Sequence, residues 1–209
     1  PAVTLPDAPI RVVHRADASG TSYIFSDYLA TVSPAWAAGP GRGRNVAWPV
    51  GVAGTGNEGV AASVKETIGA IGYVEVVYAR QNRIPVAHIR NRAGRFVSPM
   101  PYEIASAAFA GLEQLPDDSP PAPRAIDLRL SLVDAPGPQS YPMASFTWLL
   151  LAPENLGTRQ IRQLVDFLRW ALLEAGDLTS AMGYVPLPTA AAERVVARLE
   201  QLVPSSETP

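Results

Sequence analysis

Five residues near the start of the chain combine a permanent positive charge with closely spaced hydrogen-bond donors. They are Arg15, Asp17, Ser19, Gly20 and Thr21. The guanidinium of Arg15 is a planar fork of N–H donors whose shape suits a tetrahedral oxyanion. Asp17 lies two residues later, on the same face of an extended chain, where its carboxylate can hold the guanidinium in place. These residue types at this spacing predict an oxyanion-binding site.

The Ser-Gly-Thr sequence at 19–21 is typical of the start of a helix. Apolar residues then recur at helical spacing, namely Ile24, Phe25, Tyr28, Leu29 and Val32. This pattern predicts a helix with Ser19 as its N-cap. Gly20 and Thr21 would fall in the first turn, where backbone N–H groups lack an intrahelical partner and the helix dipole favours an anion. The same pattern also fits an ordinary helix cap beside a surface ion pair, so the residues alone leave both interpretations open.

Further motifs follow in a fixed order along the chain. They read Trp-Pro-Val-Gly at 48–51, Gly-Thr-Gly-Asn-Glu-Gly-Val-Ala-Ala at 54–62, Gly-Ala-Ile-Gly-Tyr-Val-Glu at 69–75 and Gly-Tyr-Val-Pro-Leu-Pro at 183–188. Together with residues 12–21, they resemble the family of periplasmic phosphate-binding proteins that serve phosphate-specific ABC transporters. The resemblance covers nearly the whole chain.

The resemblance implies roles for individual residues. Arg15, Ser19, Gly20 and Thr21 match the family's phosphate contacts, and Asp17 matches the residue that orients the arginine. Ala18 stands where the family more commonly has glycine, and His14, although adjacent, receives no role. Members of this family bind dehydrated phosphate without a cofactor, a metal or any catalysis.

The resemblance also implies partners and location. The bound phosphate is presented to a membrane permease and its ATPase, and nucleic acid is not a partner. The expected location is periplasmic or otherwise extracytoplasmic. Membrane anchoring through an N-terminal lipid, which is not present in this chain, is also compatible with the resemblance. The complete protein is expected to be a monomer.

Strands that alternate with helices predict an α/β protein. The resemblance implies a fold like that of the type II periplasmic binding proteins, with the ligand between two lobes. After an irregular lead-in at 1–9, residues 10–138 would form a complete second lobe. Residues 139–203 would cross the hinge and return to the first lobe, and 204–209 would be a disordered tail. The family's further N-terminal segment, which carries serine, threonine and aspartate ligands, is expected to be absent from this chain.

Hydrophobic periodicity predicts the individual elements. Beyond the helix that starts at Ser19, helices are expected at 57–65, 101–112, 158 to about 176, and from 189 onwards. Strands are expected at 10–13, 71–78, 86–89, 126–132 and 146–151. Residues 46–50 are a further strand candidate, which Pro49 is expected to make irregular or to place at an edge.

A glycine pattern at 54–59 matches the dinucleotide-binding fingerprint literally. Its glycines are Gly54, Gly56 and Gly59, and Glu75 lies about where a ribose-binding acid would be sought. Pro49 is expected to break the preceding strand, and Glu75 is expected to lie inside a strand, so the structural context argues against a nucleotide. The glycines are interpreted instead as a tight turn into a helix close to the ligand.

Composition restricts the remaining function classes. The 209 residues carry a net charge of −2 and a pI near 5.7, which gives no general attraction to nucleic acid or anionic lipid. Five arginines between residues 79 and 95 lack the interleaved aromatic residues typical of a single-strand binding surface. The chain has no cysteine and two histidines, and no apolar run approaches the ~20 residues of a membrane-spanning helix.

Two alternatives to phosphate transport remain open from the sequence. A phosphate-ester hydrolase could use the same oxyanion cradle to stabilise a transition state, although the sequence offers no matching acid–base pair or metal cluster. A truncated copy could keep the fold and bind nothing.

Overall fold

The structure is a computed structural model that describes residues 6–113 and 130–203. The chain divides into two compact units, Pro1–Ile89 and Arg90–Pro209. All five residues of the predicted oxyanion site lie in the first unit.

The first unit is built on a three-stranded parallel sheet in the order β2-β1-β3. Its strands are β1 (Arg11–Arg15), β2 (Val52–Gly54) and β3 (Ala70–Gly72). Its helices are α1 (Gly20–Val32), α2 (Pro34–Ala38), α3 (Gly56–Glu66) and α4 (Val76–Gln81). The central strand β1 pairs Arg15 with Gly54 on one side and Val13 with Gly72 on the other.

Parallel pairing places the carboxyl ends of the three strands at one edge of the sheet. The chain leaves β1 towards β2 on one side and then crosses to β3 on the other, so β1 lies at a topological switch point. Open α/β sheets bind ligands at the carboxyl edge beside such a point. The loops that precede α1, α3 and α4 therefore meet where a ligand is expected.

Close packing of α3 against β2 explains two of the three glycines in the fingerprint-like pattern. A Cβ on Gly54 would lie 2.7 Å from the backbone nitrogen of Val60, and one on Gly59 would lie 3.3 Å from the carbonyl carbon of Gly54. Any side chain at Gly54 would therefore push the helix away from the strand. The third, Gly56, has φ +68°, a conformation that favours glycine.

The second unit contains two short strands and four α-helices among its described residues. The strands β4 (Ile89–Arg90) and β5 (Phe96–Val97) pair with each other. The helices are α5 (Pro101–Leu112), α6 (Thr158–Leu173), α7 (Gly176–Ala181) and α8 (Thr189–Glu200), and a 3-10 turn covers Pro153–Asn155. One apolar cluster joins α6 to α8 through Ile161, Val165, Leu168 and Leu199.

Several predicted elements are confirmed. Helix α5 has the predicted bounds, α6 and α8 begin at the predicted residues, and β1 overlaps the first predicted strand. Helix α1 begins after its predicted N-cap, Ser19. Its most buried residues, however, are Ser22, Ser26 and Asp27, whose side chains bond to neighbouring polar groups.

The strand predicted at 71–78 is wrong beyond Gly72. Residues 73–75 form a loop, and α4 begins at Val76. The β-branched and aromatic composition of this segment favours a strand, but such preferences depend on the surroundings. Here, the half-buried residues Val76 and Val77 belong to a short helix that packs beside α3.

The segment 46–50 forms no strand, as the expected effect of Pro49 allows, and the strand predicted at 146–151 is wrong. The second strand of the sheet lies at 52–54, because Gly51 turns the chain at φ +112° and Val52 is the first residue to pair with β1. Residues 146–151 form no strand, and Leu150 is 96% exposed instead of buried. The strand predicted at 86–89 is reduced to Ile89, the first residue of β4.

Other predictions lie partly or wholly outside the described residues. They are most of the strand at 126–132, the tail at 204–209 and the first half of the lead-in at 1–9. Residues 130–132, at the end of the predicted strand, have no strand structure. The lobe boundary expected between residues 138 and 139 stays a prediction. The two compact units divide the chain between Ile89 and Arg90.

We expect Gly54→Ala to destabilise the first unit strongly, because its Cβ would overlap the backbone of Gly59 and Val60 in α3. Forced overpacking costs about 1–3 kcal/mol. Gly20→Ala is the matched control, since a Cβ there has nothing within 4 Å and lies on a helix. Urea unfolding followed by circular dichroism would measure both variants. Equal midpoints for the two would contradict the close approach of α3 to β2.

Candidate anion-binding site

Arg15 is the last residue of the central strand and lies at the carboxyl edge of the sheet. Its backbone pairs with β2 in register with Gly54, and its backbone N–H donates to the hydroxyl of Tyr73 at 3.2 Å. The side chain is only 10% exposed. Arg15 is therefore fixed at both its backbone and its side chain before any ligand binds.

Asp17 holds one edge of the Arg15 guanidinium. Nε donates to Oδ1 at 2.9 Å and Nη2 donates to Oδ2 at 2.5 Å, which is a bidentate pair. The backbone N–H of Gly56, at the start of α3, donates to the same Oδ1 at 3.0 Å. The hydrogen bonds from Arg15 and then from Gly56 lower the pKa of Asp17 well below its usual range. The hydrogen bond to Asp17 also raises the pKa of Arg15, so both groups are charged at neutral pH.

Asn57 holds the other side of the guanidinium. Its Oδ1 accepts a hydrogen bond from Nη1 of Arg15 at 3.2 Å. A guanidinium has five N–H donors, of which Asp17 takes two and Asn57 takes one. In the described part of the chain, one N–H on each terminal nitrogen of Arg15 remains for a ligand. Two such donors are the fork that binds a carboxylate or phosphate through two oxygens.

The start of α1 supplies backbone donors at the same edge. Ser19 is its N-cap, with φ −137°, and its hydroxyl oxygen accepts from the N–H of Ser22 at 3.2 Å. The N–H of Tyr23 donates to the Ser19 carbonyl at 3.1 Å. The N–H groups of Gly20 and Thr21 have no acceptor among the described residues, as expected for the first turn of a helix. Gly20 is exposed, so solvent or a ligand can reach these donors.

Glu75 places a carboxylate beside these donors. Its Oε1 accepts from the Thr21 hydroxyl and from Nδ2 of Asn57, both at 3.4 Å. Glu75 is exposed, whereas Asn57 is 8% exposed. The loop after β3 thereby joins the loop after β1 and the first turn of α3 in one polar network.

An aromatic group supports the network from behind. The Tyr73 hydroxyl lies 2.7 Å from Oγ of Ser22, and its ring stacks on Phe25 with centroids 4.5 Å apart. Trp48 stacks on His14 and packs at a tilt of 33° against Tyr73, each with centroids 5.4 Å apart. The ring nitrogen Nδ1 of His14 lies 3.1 Å from the Arg15 carbonyl. His14 thus packs beneath the site.

The structure brings together all five residues that the sequence singled out. It adds Asn57, Tyr73 and Glu75, which sequence reasoning missed. These three follow the carboxyl ends of β2 and β3, so a correct placement of those strands would have pointed to them.

Both contextual arguments against the dinucleotide fingerprint are wrong, because β2 precedes the glycines and Glu75 lies in a loop. The structure supplies a different argument. The N–H of Gly56, which would face a pyrophosphate, already donates to Asp17, and Gly54 and Gly59 serve helix packing. The glycines are therefore accounted for without a nucleotide.

Within the described residues, no group of three or more histidine, cysteine, aspartate or glutamate side chains could hold a metal ion. No helix there is both long enough and apolar enough to cross a bilayer.

The sequence matches the PBP superfamily domain over residues 2–175. It is 37% identical over 188 residues to the phosphate-binding protein PstS of Xylella fastidiosa (strain 9a5c), covering 90% of this chain and 49% of that protein. It is 40% identical over 194 residues to the PstS of Methanocaldococcus jannaschii, covering 88% and 49%, respectively. The PstS of Pasteurella multocida is 36% identical over 204 residues, which are 97% of this chain and 56% of that protein. The chain thus spans about half the length of the curated relatives that it matches.

We expect the contribution of Asp17 to stability to disappear in acid. A carboxyl whose pKa is lower in the folded than in the unfolded chain stabilises the fold above the unfolded value, ~3.9 for aspartate, and this contribution is lost as the pH falls towards the folded value. The urea midpoints of wild type and Asp17→Asn should therefore differ by a constant amount from pH 5 to 8 and converge below pH 4.

The exposed residue Asp7, which has no part in this network, provides the control variant Asp7→Asn. A difference between wild type and Asp17→Asn that is as large at pH 3 as at pH 7 would contradict the charged pair.

Proposed function

The chain belongs to the PBP superfamily, and from this premise we propose that it binds inorganic phosphate at the Arg15 site. The observation that carries the proposal is the set of donors left over at that site. Within the described residues, Arg15 keeps one N–H on each terminal nitrogen, and the amides of Gly20 and Thr21 at the start of α1 have no acceptor. Asp17 acts through Arg15 by holding its guanidinium.

Phosphate suits this donor set because its oxygens are spread tetrahedrally and can each accept more than one hydrogen bond. Two oxygens would meet the Arg15 fork, and the others would face the start of α1, where backbone amides and the helix dipole favour an anion. The hydroxyl of Ser19 accepts from Ser22, which leaves its proton free to donate. The hydroxyl of Thr21 could turn from Glu75 to the ligand, since their contact is long at 3.4 Å.

The proposed biological role is that of the substrate-binding component of an ABC-type phosphate importer, outside the cytoplasm. The relatives' names support phosphate as the ligand. The partners would be a membrane permease and its ATPase. In this role, the protein binds and releases phosphate unchanged, so neither Arg15 nor Asp17 acts as a catalyst.

We expect Arg15→Ala to weaken phosphate binding by at least ~10-fold. Hydrogen bonds to charged groups are worth about 1.5–3 kcal/mol each, and Arg15 offers two. Arg11→Ala is the matched control, because Arg11 is exposed at the opposite end of the same strand, ~13 Å along it. Isothermal titration with phosphate at constant ionic strength would measure both.

Equal phosphate affinities for the Arg15 and Arg11 variants would place the anion elsewhere. Turnover of p-nitrophenyl phosphate by the wild type, with or without divalent cations, would favour the hydrolase alternative. Absence of saturable phosphate binding to the folded wild-type chain would contradict the proposed function.

We expect Asp17→Asn to weaken phosphate binding, although it removes a negative charge close to an anion. Coulomb attraction alone predicts tighter binding. An asparagine cannot accept from both Nε and Nη2 through two oxygens, so the guanidinium loses its fixed orientation. Calorimetry that shows tighter binding by Asp17→Asn than by wild type would mean that Asp17 does not orient Arg15.

A further inference from the structure

We propose that Asn57 is a positioning residue of the oxyanion site, which determines the N–H groups of Arg15 that face the ligand. The inference rests on the proposed function, because it assigns the residue that prepares Arg15 for phosphate. Asn57 itself need not touch the ligand.

Asp17 alone fixes only one edge of the guanidinium. It takes Nε and Nη2, and its side chain is 41% exposed, so the pair can tilt about that edge. Nη1 lies on the far side and would keep both of its N–H groups free. The contact from Nη1 to Oδ1 of Asn57 takes one of them and adds a third fixed point. Three points define the plane of the guanidinium.

The amide of Asn57 can serve this purpose in one orientation only. Its Oδ1 faces a cationic donor, and its Nδ2 faces the carboxylate of Glu75 at 3.4 Å. The flipped amide would direct N–H groups at the guanidinium and an oxygen at the carboxylate, and both contacts would be repulsive. Glu75 therefore selects the orientation of Asn57 that accepts from Arg15.

Both restraints on the Arg15–Asp17 pair come from the first turn of α3. The N–H of Gly56 binds Asp17, and the next residue, Asn57, binds Arg15. The close approach of Gly54 and Gly59 fixes this turn against β2. Asn57 is 8% exposed and lies in this closely packed turn, which suits a residue that must hold an angle.

The first test is phosphate titration of the 209-residue chain with Asn57→Ala. We expect its affinity to fall by about 10-fold, towards the lower end of what one hydrogen bond to a charged group is worth. Asn82→Ala is the control, because Asn82 is half-buried and in the same unit, but its side chain donates to the backbone carbonyl of Tyr78. Equal affinities for the Asn57→Ala and Asn82→Ala variants would overturn the inference.

The second test observes Arg15 directly and does not require phosphate. A hydrogen bond to Nη1 slows rotation about the Cζ–Nη1 bond, which separates the two Nη1 protons in a low-temperature nitrogen–proton NMR spectrum. The Nη1 signals that disappear from the spectrum of the Arg15→Lys variant are assigned to Arg15. We expect them to merge in Asn57→Ala and to stay separate in Asn57→Asp, which keeps an acceptor oxygen. Separate signals in Asn57→Ala would overturn the inference, as would merged signals in Asn57→Asp.

The two tests separate this inference from the proposed function. If the folded wild type binds no phosphate, the proposed function fails, and the Nη1 signals alone decide whether Asn57 positions Arg15. If the wild type binds phosphate and Asn57→Ala changes neither the affinity nor the signals, the inference fails while the proposed function stands.

Discussion

The first unit depends on satisfying the guanidinium of Arg15, whose side chain is 10% exposed. A charge on a largely buried side chain is costly unless it is paired and hydrogen-bonded. Asp17 supplies the opposite charge, and Asn57 supplies a neutral acceptor on the far side. Both partners are fixed by the first turn of α3, whose own position requires the glycine contacts with β2. The strand, the turn and the ion pair therefore stabilise one another.

If phosphate binds as proposed, the site attracts it through directed donors more than through excess charge. Among the described residues of this network, Arg15 is the one cation, and the carboxylates of Asp17 and Glu75 outnumber it. The chain as a whole is also slightly acidic. What remains positive is local: two guanidinium N–H groups and the first amides of α1, all at the carboxyl edge of the sheet. Such a site favours ligands whose oxygens match the donors in direction, which is the basis of specificity by geometry.

The sequence predicts the local contacts of residues 15–22 better than it predicts the strands of the sheet. The Arg15–Asp17 pair and the Ser19 cap are local, so their spacing alone indicates their contacts. Asn57 and Glu75 follow other strands, and the prediction misplaced β2 and extended β3 beyond its end at Gly72. Composition favoured a strand at 71–78, but packing against α3 turned residues 76–81 into a helix. Pairing with β1 placed β2 two residues beyond Val50, a register that no local pattern encodes.

The most direct test of the account is a titration of the nitrogen-labelled chain with phosphate, followed by NMR at constant ionic strength. The account predicts that the amide signals of Gly20 and Thr21 and the side-chain signals of Arg15 shift together along one saturable curve. Chloride at the same ionic strength should leave them in place. Phosphate-induced shifts confined to other residues, or shifts at Arg15 that chloride reproduces, would contradict it.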